Sequence, residues 1–317
     1  MPLPVALSLT DVTVRYGERV ALDRVCLEVH RGEIVGLLGP NGSGKSSTLA
    51  VAAGLLEPAT GTVQIEGHSR AADPQGFALR VGLVPQEPAV YEEFTAYENL
   101  IFFGELYGLR GSDLRRRVVR TLARLQLTER AHDRVGTFSG GMKQRLNLAI
   151  ALLHDPPVLL LDEPTAALDP ASRDALLADL TRFRDDGHAI LLTTHHIDEA
   201  EGGCDRVAIL AGGRVVACGA AAELLRPRQA DRAILYGHLR TRPPKFLEKA
   251  LRRRLGSQVE LEITGRRLRL AADSHEELGY ALATLLADGV ELEAYRTPAG
   301  ALERALRADH SAGGHGA

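Results

Sequence analysis

The sequence predicts an α/β chain: a parallel-sheet core with an antiparallel β part and a helical part attached, and a small α+β domain behind it. Three observations predict it. Two short apolar runs, 158–161 and 189–193, flank a stretch of helical spacing, 172–183, which makes a strand–helix–strand unit covered on both faces. A glycine-rich segment, 39–44, lies between an apolar strand and the start of a helix. Past Gly219 the character changes, with Pro227, Pro243 and Pro244 punctuating an arginine-rich region of short alternating elements.

Taken in order, residues 5–14 alternate apolar and polar and read as a strand, turned at Tyr16-Gly17; 20–29 repeat the pattern and turn at His30-Arg31-Gly32. Residues 33–39 form a short apolar strand, and a helix runs from about 45 to 54. Strands follow at 62–66 and 81–84, the second ending at Pro85. From 91 to about 153 the period is helical, with Arg115-Arg116-Arg117 on a solvated face. Residues 206–210 and 214–218 flank Ala211-Gly212-Gly213 and read as a hairpin. The remainder reads β-α-β-β-α-β-α: 233–238, 245–255, 258–263, 267–270, 276–286, 290–295 and 299–308. The expected domains are therefore 1–225, with a helical part about 91–155, then 226–310, and a disordered tail 311–317.

The composition is that of a globular protein, 45% hydrophobic and 25% charged, in 317 residues. A net charge of −3 gives no basic excess for nucleic acid or anionic lipid. Apolar runs such as 149–153 and 158–161 fall far short of the roughly 20 residues a bilayer requires. The start, Met1-Pro2-Leu3-Pro4 with Asp11 soon after, lacks the basic n-region of a signal peptide. Cys26, Cys204 and Cys218 have neither metal nor redox spacing, and are expected to be buried packing residues in a reducing compartment. The expected location is cytosolic, at the membrane only through a partner.

Three segments carry chemistry. Gly39-Pro40-Asn41-Gly42-Ser43-Gly44-Lys45-Ser46 matches G-x-x-x-x-G-K-[ST] in the required strand-to-helix setting. Its glycines let successive N–H groups turn inward around phosphate oxygens, and the helix N-terminus adds its positive end. Lys45 places a cation between β- and γ-phosphates, and the Ser46 hydroxyl is a Mg²⁺ ligand. The strand 158–161 delivers Asp162 and Glu163 at its C-terminal edge, where open α/β sheets bind ligands. Asp162 suits Mg²⁺ through water, and Glu163 suits the orientation of an attacking water. Ahead of that strand, Ser139 with the N–H groups of Gly140 and Gly141 forms a second anion site at a helix start.

The phosphate loop, the segment Phe138-Ser139-Gly140-Gly141-Met142-Lys143-Gln144-Arg145 and Leu161-Asp162-Glu163-Pro164 together resemble the ABC ATPases, over about residues 5–220. The resemblance implies a P-loop NTPase core with an antiparallel β subdomain and a helical subdomain. It implies ATP and Mg²⁺ as ligands, with Ser46, Gln86 and Asp162 at the metal, and the nucleotide held by Tyr16, the loop residues Gly39 to Ser46, and Ser47. Tyr16 matches the aromatic that stacks on adenine, and Gln86 the glutamine sensing Mg²⁺ and attacking water. Asp169, in Ala167-Leu168-Asp169, matches a loop that reaches across a dimer, and His195 a histidine that contacts the γ-phosphate. A metal pair at His195-His196 is disfavoured on the ground that neighbours on a strand point to opposite faces.

In that family Ser139 and Gly141 would face the γ-phosphate bound by the other subunit, so the implied assembly is a nucleotide-sandwich dimer of two copies, or of one copy and a paralogue. The implied function is an ATPase that drives a membrane permease on a separate chain from the cytoplasmic face of the cell membrane. The common signature has leucine and glutamine where this chain has Phe138 and Met142; signatures ending in Gly-Gly-Met, with Ala200-Glu201 and Cys204-Asp205-Arg206 further on, resemble bacterial exporters of drugs, polysaccharides and similar amphiphiles. An importer ATPase or a non-transport ABC ATPase would share the catalytic residues. The second domain is expected to stabilise the dimer or regulate it, and cargo contacts belong to the permease.

Overall fold

The computed structural model describes residues 3–225 and, beyond them, 233–244, 247, 250–251, 254–255, 259–272, 278, 281–282, 284–286 and 288–296. The chain divides into two units, residues 1–225 and 226–317.

The first unit is built on a six-stranded sheet of order β10-β9-β3-β8-β7-β6. Its strands are β3 (Ile34–Leu38), β6 (Val81–Val84), β7 (Val158–Leu161), β8 (Ala189–Thr194), β9 (Arg206–Ala211) and β10 (Arg214–Ala220). All run parallel except β10, which returns antiparallel on β9. Every residue of β3, β7 and β8 is buried. Side chains alternate between faces along a strand, so one apolar run feeds two cores. Leu159, Leu161, Ile190 and Leu192 join the core beneath the helices, while Val158, Leu160, Ala189 and Leu191 join the one beneath the second sheet. Each such aliphatic side chain contributes roughly 1.5–3 kcal/mol of burial.

The second sheet, order β2-β1-β4-β5, comprises β1 (Val5–Tyr16), β2 (Arg19–His30), β4 (Thr60–Ile65) and β5 (His68–Ser69), all antiparallel. It packs Val12, Val14 and Leu22 with Leu49 of α1 (Lys45–Ala52). Two short elements, β5 and α2 (Pro74–Ala78), fall below the reach of sequence periodicity; α2 exists through its Asp73 cap and a proline at its start. The expected hairpin at 206–218 is present, and β9 also extends the parallel sheet beside β3.

The stretch read as uniformly helical breaks into α3 (Ala96–Leu106), α4 (Gly111–Arg124) and α5 (Gly140–Leu152). Glycines 108 and 111, at φ 83° and 60°, separate the first two. In α4, Leu114, Val118, Thr121 and Leu122 are buried, the i, i+4, i+7, i+8 face, while Arg115 and Arg116 are exposed and Arg117 is half-buried. Three further helices complete the unit: α6 (Pro170–Asp185), α7 (Ile197–Gly203) and α8 (Ala221–Leu224). No described helix is long and apolar enough to cross a membrane.

The second unit holds an antiparallel sheet of order β12-β13-β11-β14, from β11 (Ala233–Leu239), β12 (Val259–Thr264), β13 (Arg267–Ala272) and β14 (Leu292–Arg296). The described residues within 247–255 and 278–286 are helical. Leu251, Leu255, Leu278 and Leu285 from them pack on Leu235, Leu261, Leu268 and Leu270, giving the β-α-β-β-α-β arrangement. The expected last helix, 299–308, and tail, 311–317, lie outside the described residues.

One expectation is corrected. Cys26 and Cys218 are exposed rather than buried, because strand alternation turns them away from Val25 and Leu27 on β2 and from the inner face of β10. Cys204 is half-buried, and burial pushes its thiol up to about 12.

Candidate functional site

The loop after β3 is shaped by close approach. A Cβ at Gly39 would lie 2.4 Å from the Leu210 carbonyl oxygen, and one at Gly44 only 2.6 Å from the Leu22 side chain, with φ at 111° besides. Only glycine fits both positions. Lys45, the first residue of α1, is 6% exposed; its Nζ donates to the carbonyls of Gly39 (2.9 Å) and Pro40 (3.3 Å). Ser43 Oγ is buried in the loop with no hydrogen-bond partner.

Across from Lys45 stands the acidic end of β7. Glu163 has φ 44°, a left-handed conformation costing about 1–3 kcal/mol for a residue with a side chain. Thr193 on β8 holds it there: Glu163 N donates to Thr193 Oγ1 at 2.8 Å, and that hydroxyl donates to Asp162 Oδ1 at 2.7 Å. The Glu163 carboxylate lies between two cationic or cation-capable groups, Lys45 Nζ at 3.7 Å from Oε1 and His195 Nδ1 at 3.2 Å from Oε2. The strand β8 ends at Thr194, and the His195 and His196 rings then lie side by side, 4.1 Å between centroids. The opposite-face argument for these histidines therefore does not hold: it applies within a strand, and they follow one.

These groups meet in a cleft of about 440 Å³. Asn41, Gly42, Gly44, Lys45, Ser46 and Ser47 line its floor; Tyr16, Gln86, Glu163 and His195 complete its walls. Gly39, Pro40, Ser43 and Asp162 support it from behind through the contacts above. Arg19 and Ala21 also line it, and the sequence reading missed both. They sit just across the β1–β2 turn from Tyr16, a proximity visible only once the hairpin is drawn. Thr193 was missed as well, although a hydroxyl at the end of an otherwise apolar buried strand is a signal.

Three of the expected residues are elsewhere. Ser139 caps α5, its Oγ accepting from Met142 N at 3.3 Å, and it is exposed, as is Gly140. Asp169 caps α6, accepting from Ser172 N (3.0 Å) and Ser172 Oγ (2.6 Å), bonds that hold its carboxyl below the usual range. A Cβ at Gly141 would lie 2.7 Å from Ser172 Oγ, so glycine there lets the α5 and α6 starts approach. A second cleft of about 370 Å³ lies alongside, lined by Gly140, Lys143, Ala167 and Leu168 and sharing Gln86 and Glu163 with the first. Phe138 and Met142, the departures from the common signature, pack into the helical core instead of facing either cleft.

The donor set fits a nucleoside triphosphate with Mg²⁺. Buried Lys45, the unpartnered Ser43 hydroxyl and the left-handed loop make an anion cradle. Ser46, Gln86 and Asp162 offer hard oxygen ligands beside it.

Comparison with known proteins agrees. The family described as ABC transporter matches residues 22–166. The linearmycin resistance ATP-binding protein LnrL of Bacillus subtilis is 37% identical over 218 residues, covering 69% of this chain and 70% of that protein. The Nod factor export ATP-binding protein I of Ralstonia nicotianae is 40% identical over 219 residues, 69% and 68% of the two chains. A solved ATP-binding subunit of an ABC transporter superposes with a TM-score of 0.62 at 37% identity, covering 68% of this chain and 90% of its own. With identity at that level over most of each relative, this chain belongs to the ABC transporter family, as an ATP-hydrolysing nucleotide-binding subunit.

Proposed function

We propose that two copies of this chain close head to tail around ATP and drive export through a membrane permease on a separate chain. The observation that carries the dimer is the division of the candidate residues. Tyr16, the loop residues, Gln86, Glu163 and His195 line one cleft, while Ser139, Gly141 and Asp169 sit at exposed or half-buried helix starts outside it. Exposed N–H groups at the α5 start, facing a partner's γ-phosphate, would complete that partner's site.

Within each site Tyr16 stacks on adenine and Lys45 balances the β- and γ-phosphate charge. Ser46, Gln86 and, through water, Asp162 would hold Mg²⁺, which supplies positive charge beside the phosphate oxygens. Glu163 orients the water whose oxygen bonds to the γ-phosphorus as the bond to the bridging oxygen breaks, releasing ADP and phosphate. His195, whose Nδ1 lies 3.2 Å from Glu163 Oε2, contacts the γ-phosphate. The chemistry asks mainly for positioning and charge, which a strained, doubly anchored Glu163 provides.

The permease surface on this reading is the aromatic edge of the helical layer. Tyr91 and Phe94 are 45% and 38% exposed, and their rings stand 5.3 Å apart. Export rather than import is favoured by relatives named for antibiotic resistance and Nod factor export. Residues 226–317, lacking a catalytic motif, stabilise the dimer or regulate it.

Tagged Glu163→Gln protein, purified in ATP from detergent-solubilised native membranes, tests the proposal. The variant binds ATP while turnover falls by roughly two or more orders of magnitude. A polytopic membrane protein in stoichiometric amount is the expected companion, and its architecture separates export from import. Purely soluble companions, or normal hydrolysis by the variant, would overturn the reading.

A further inference from the structure

Glu199, on α7, is 6% exposed and lines neither cleft, yet three catalytic segments converge on its carboxylate. Its Oε2 accepts from Thr165 Oγ1 at 2.7 Å and from Thr194 Oγ1 at 2.8 Å. Arg173 Nε lies 3.2 Å from Oε1. Both threonines are 2% exposed, so this is an interior node and not a surface ion pair. Thr165 stands two residues after Glu163, Thr194 immediately before His195, and Arg173 in the first turn of the helix capped by Asp169. Two more bonds tighten the arrangement: His196 N donates to Thr194 Oγ1 at 3.0 Å, and Arg173 N donates to the Asp169 carbonyl at 2.9 Å.

A buried carboxylate is a poor device for stability alone, because desolvation takes back much of what the ion pair returns. Its two oxygens can, however, do what an apolar side chain cannot. One accepts hydrogen bonds from the loop that follows β7 and from the last residue of β8, and the other faces the helix that follows the Asp169 loop through an ion pair without a hydrogen bond. We propose that Glu199 is a positioning residue for hydrolysis. It locks His195 against Glu163 and ties both to the Asp169 loop, so that the two faces of the dimer site keep one register. The inference rests on the ATPase reading above.

The consequence is a loss in turnover with little loss in nucleotide affinity, because Glu199 touches neither the phosphate loop nor Tyr16. Steady-state ATPase of the full chain tests this with Glu199→Gln, which keeps size and one oxygen. The expected kcat is roughly ten-fold lower, with KM for MgATP nearly unchanged, the signature of misplaced catalytic groups rather than lost binding. Arg173→Gln, at a half-exposed position that folding tolerates, should shift kcat in the same direction by less. Because Glu199 acts in part through His195, adding Glu199→Gln to His195→Ala should cost less than Glu199→Gln costs in the otherwise unaltered chain. Were Glu199 merely structural, its variant would lower the folded fraction at unchanged kcat per folded molecule, and its effect would add in full to that of His195→Ala. Either result overturns the proposal, as does a normal kcat in Arg173→Gln should Glu199→Gln fail to fold. Wild-type protein without ATPase activity would instead overturn the parent reading.

Discussion

The phosphate cradle and the Ser139 segment are both proposed anion sites at helix N-termini, and they differ in how they are finished. In the cradle, Lys45 is almost wholly buried and already answered by two carbonyls and Glu163 within the same chain. At the Ser139 end the backbone is exposed, and the polar side chains are spent on capping their own helices: Ser139 on α5, Asp169 on α6. One site is assembled by folding and the other is presented by it. On the proposed reading, folding alone prepares a nucleotide grip, while hydrolysis waits for a second surface.

Breaking each half separately is the sharpest way to test that division. Lys45→Ala should abolish hydrolysis by weakening nucleotide binding in the chain that carries it. Gly140→Asp, at an exposed helix start where an added Cβ would meet only the Ala167 carbonyl oxygen, at 3.9 Å, should abolish it too, by setting a carboxylate against the partner's phosphate, while leaving ATP binding to the single chain intact. Mixed together, the two inactive variants should regain activity. Each mixed dimer then holds one site with both halves intact, the cradle of one copy and the Ser139 segment of the other. No recovery in mixtures that demonstrably exchange subunits would mean that each chain hydrolyses ATP unaided. The Ser139 segment would then have no share in a partner's site.

How much of this was legible beforehand follows the same line. The cradle was readable because its chemistry is local: glycines, a lysine and a serine at fixed spacing between a strand and a helix. The acidic end of β7 was readable because an apolar run announces a buried strand. What escaped depends on tertiary neighbours. Arg19 reaches the cleft across a hairpin turn, Thr193 links two carboxyl-bearing residues from the next strand, and Glu199 meets Thr165 and Arg173 from 34 and 26 positions away. Periodicity places residues on faces but does not say which faces meet. The same limit explains the cysteines, whose exposure is set by strand alternation rather than by residue type.

The joint between the two regions provides a pH-dependent test. His154, just beyond α5, bonds the Val81 carbonyl of β6 at 3.1 Å and lies against the Tyr107 ring, 4.0 Å between centroids. Burial pushes its imidazole down to about 4 from 6.5; the Val81 bond and Asp155 resist, and the Arg117 charge adds to the depression. The folded state therefore prefers neutral histidine, whereas the unfolded chain takes up a proton as pH falls through 6.5. The His154 contribution to stability is complete above that pH and is lost from there down to about 4. The loss is on the order of 3 kcal/mol in full and roughly 2 kcal/mol by pH 5. His154→Gln should flatten the fall in urea midpoint between pH 7.5 and pH 5. An unchanged slope would mean that carboxylates elsewhere set the acid limit and that the joint does not.

The smallest expected effect separates two jobs of one hydroxyl. Ser139 caps α5 and is also proposed to meet the partner's phosphate; Thr95 caps α3 in the same helical layer, in a reciprocal box with Glu98. Removing either cap, by Ser139→Ala or Thr95→Ala, exposes an orphan helix N–H and should cost about 1 kcal/mol of stability. On stability the two variants should therefore look alike in thermal or urea melts. On ATP hydrolysis they should part, because Thr95 lies apart from both clefts while Ser139 leads the segment proposed to complete the partner's site. If both variants hydrolyse ATP equally well, the Ser139 hydroxyl is a cap alone, and the exposed backbone of Gly140 and Gly141 must carry the contact unaided.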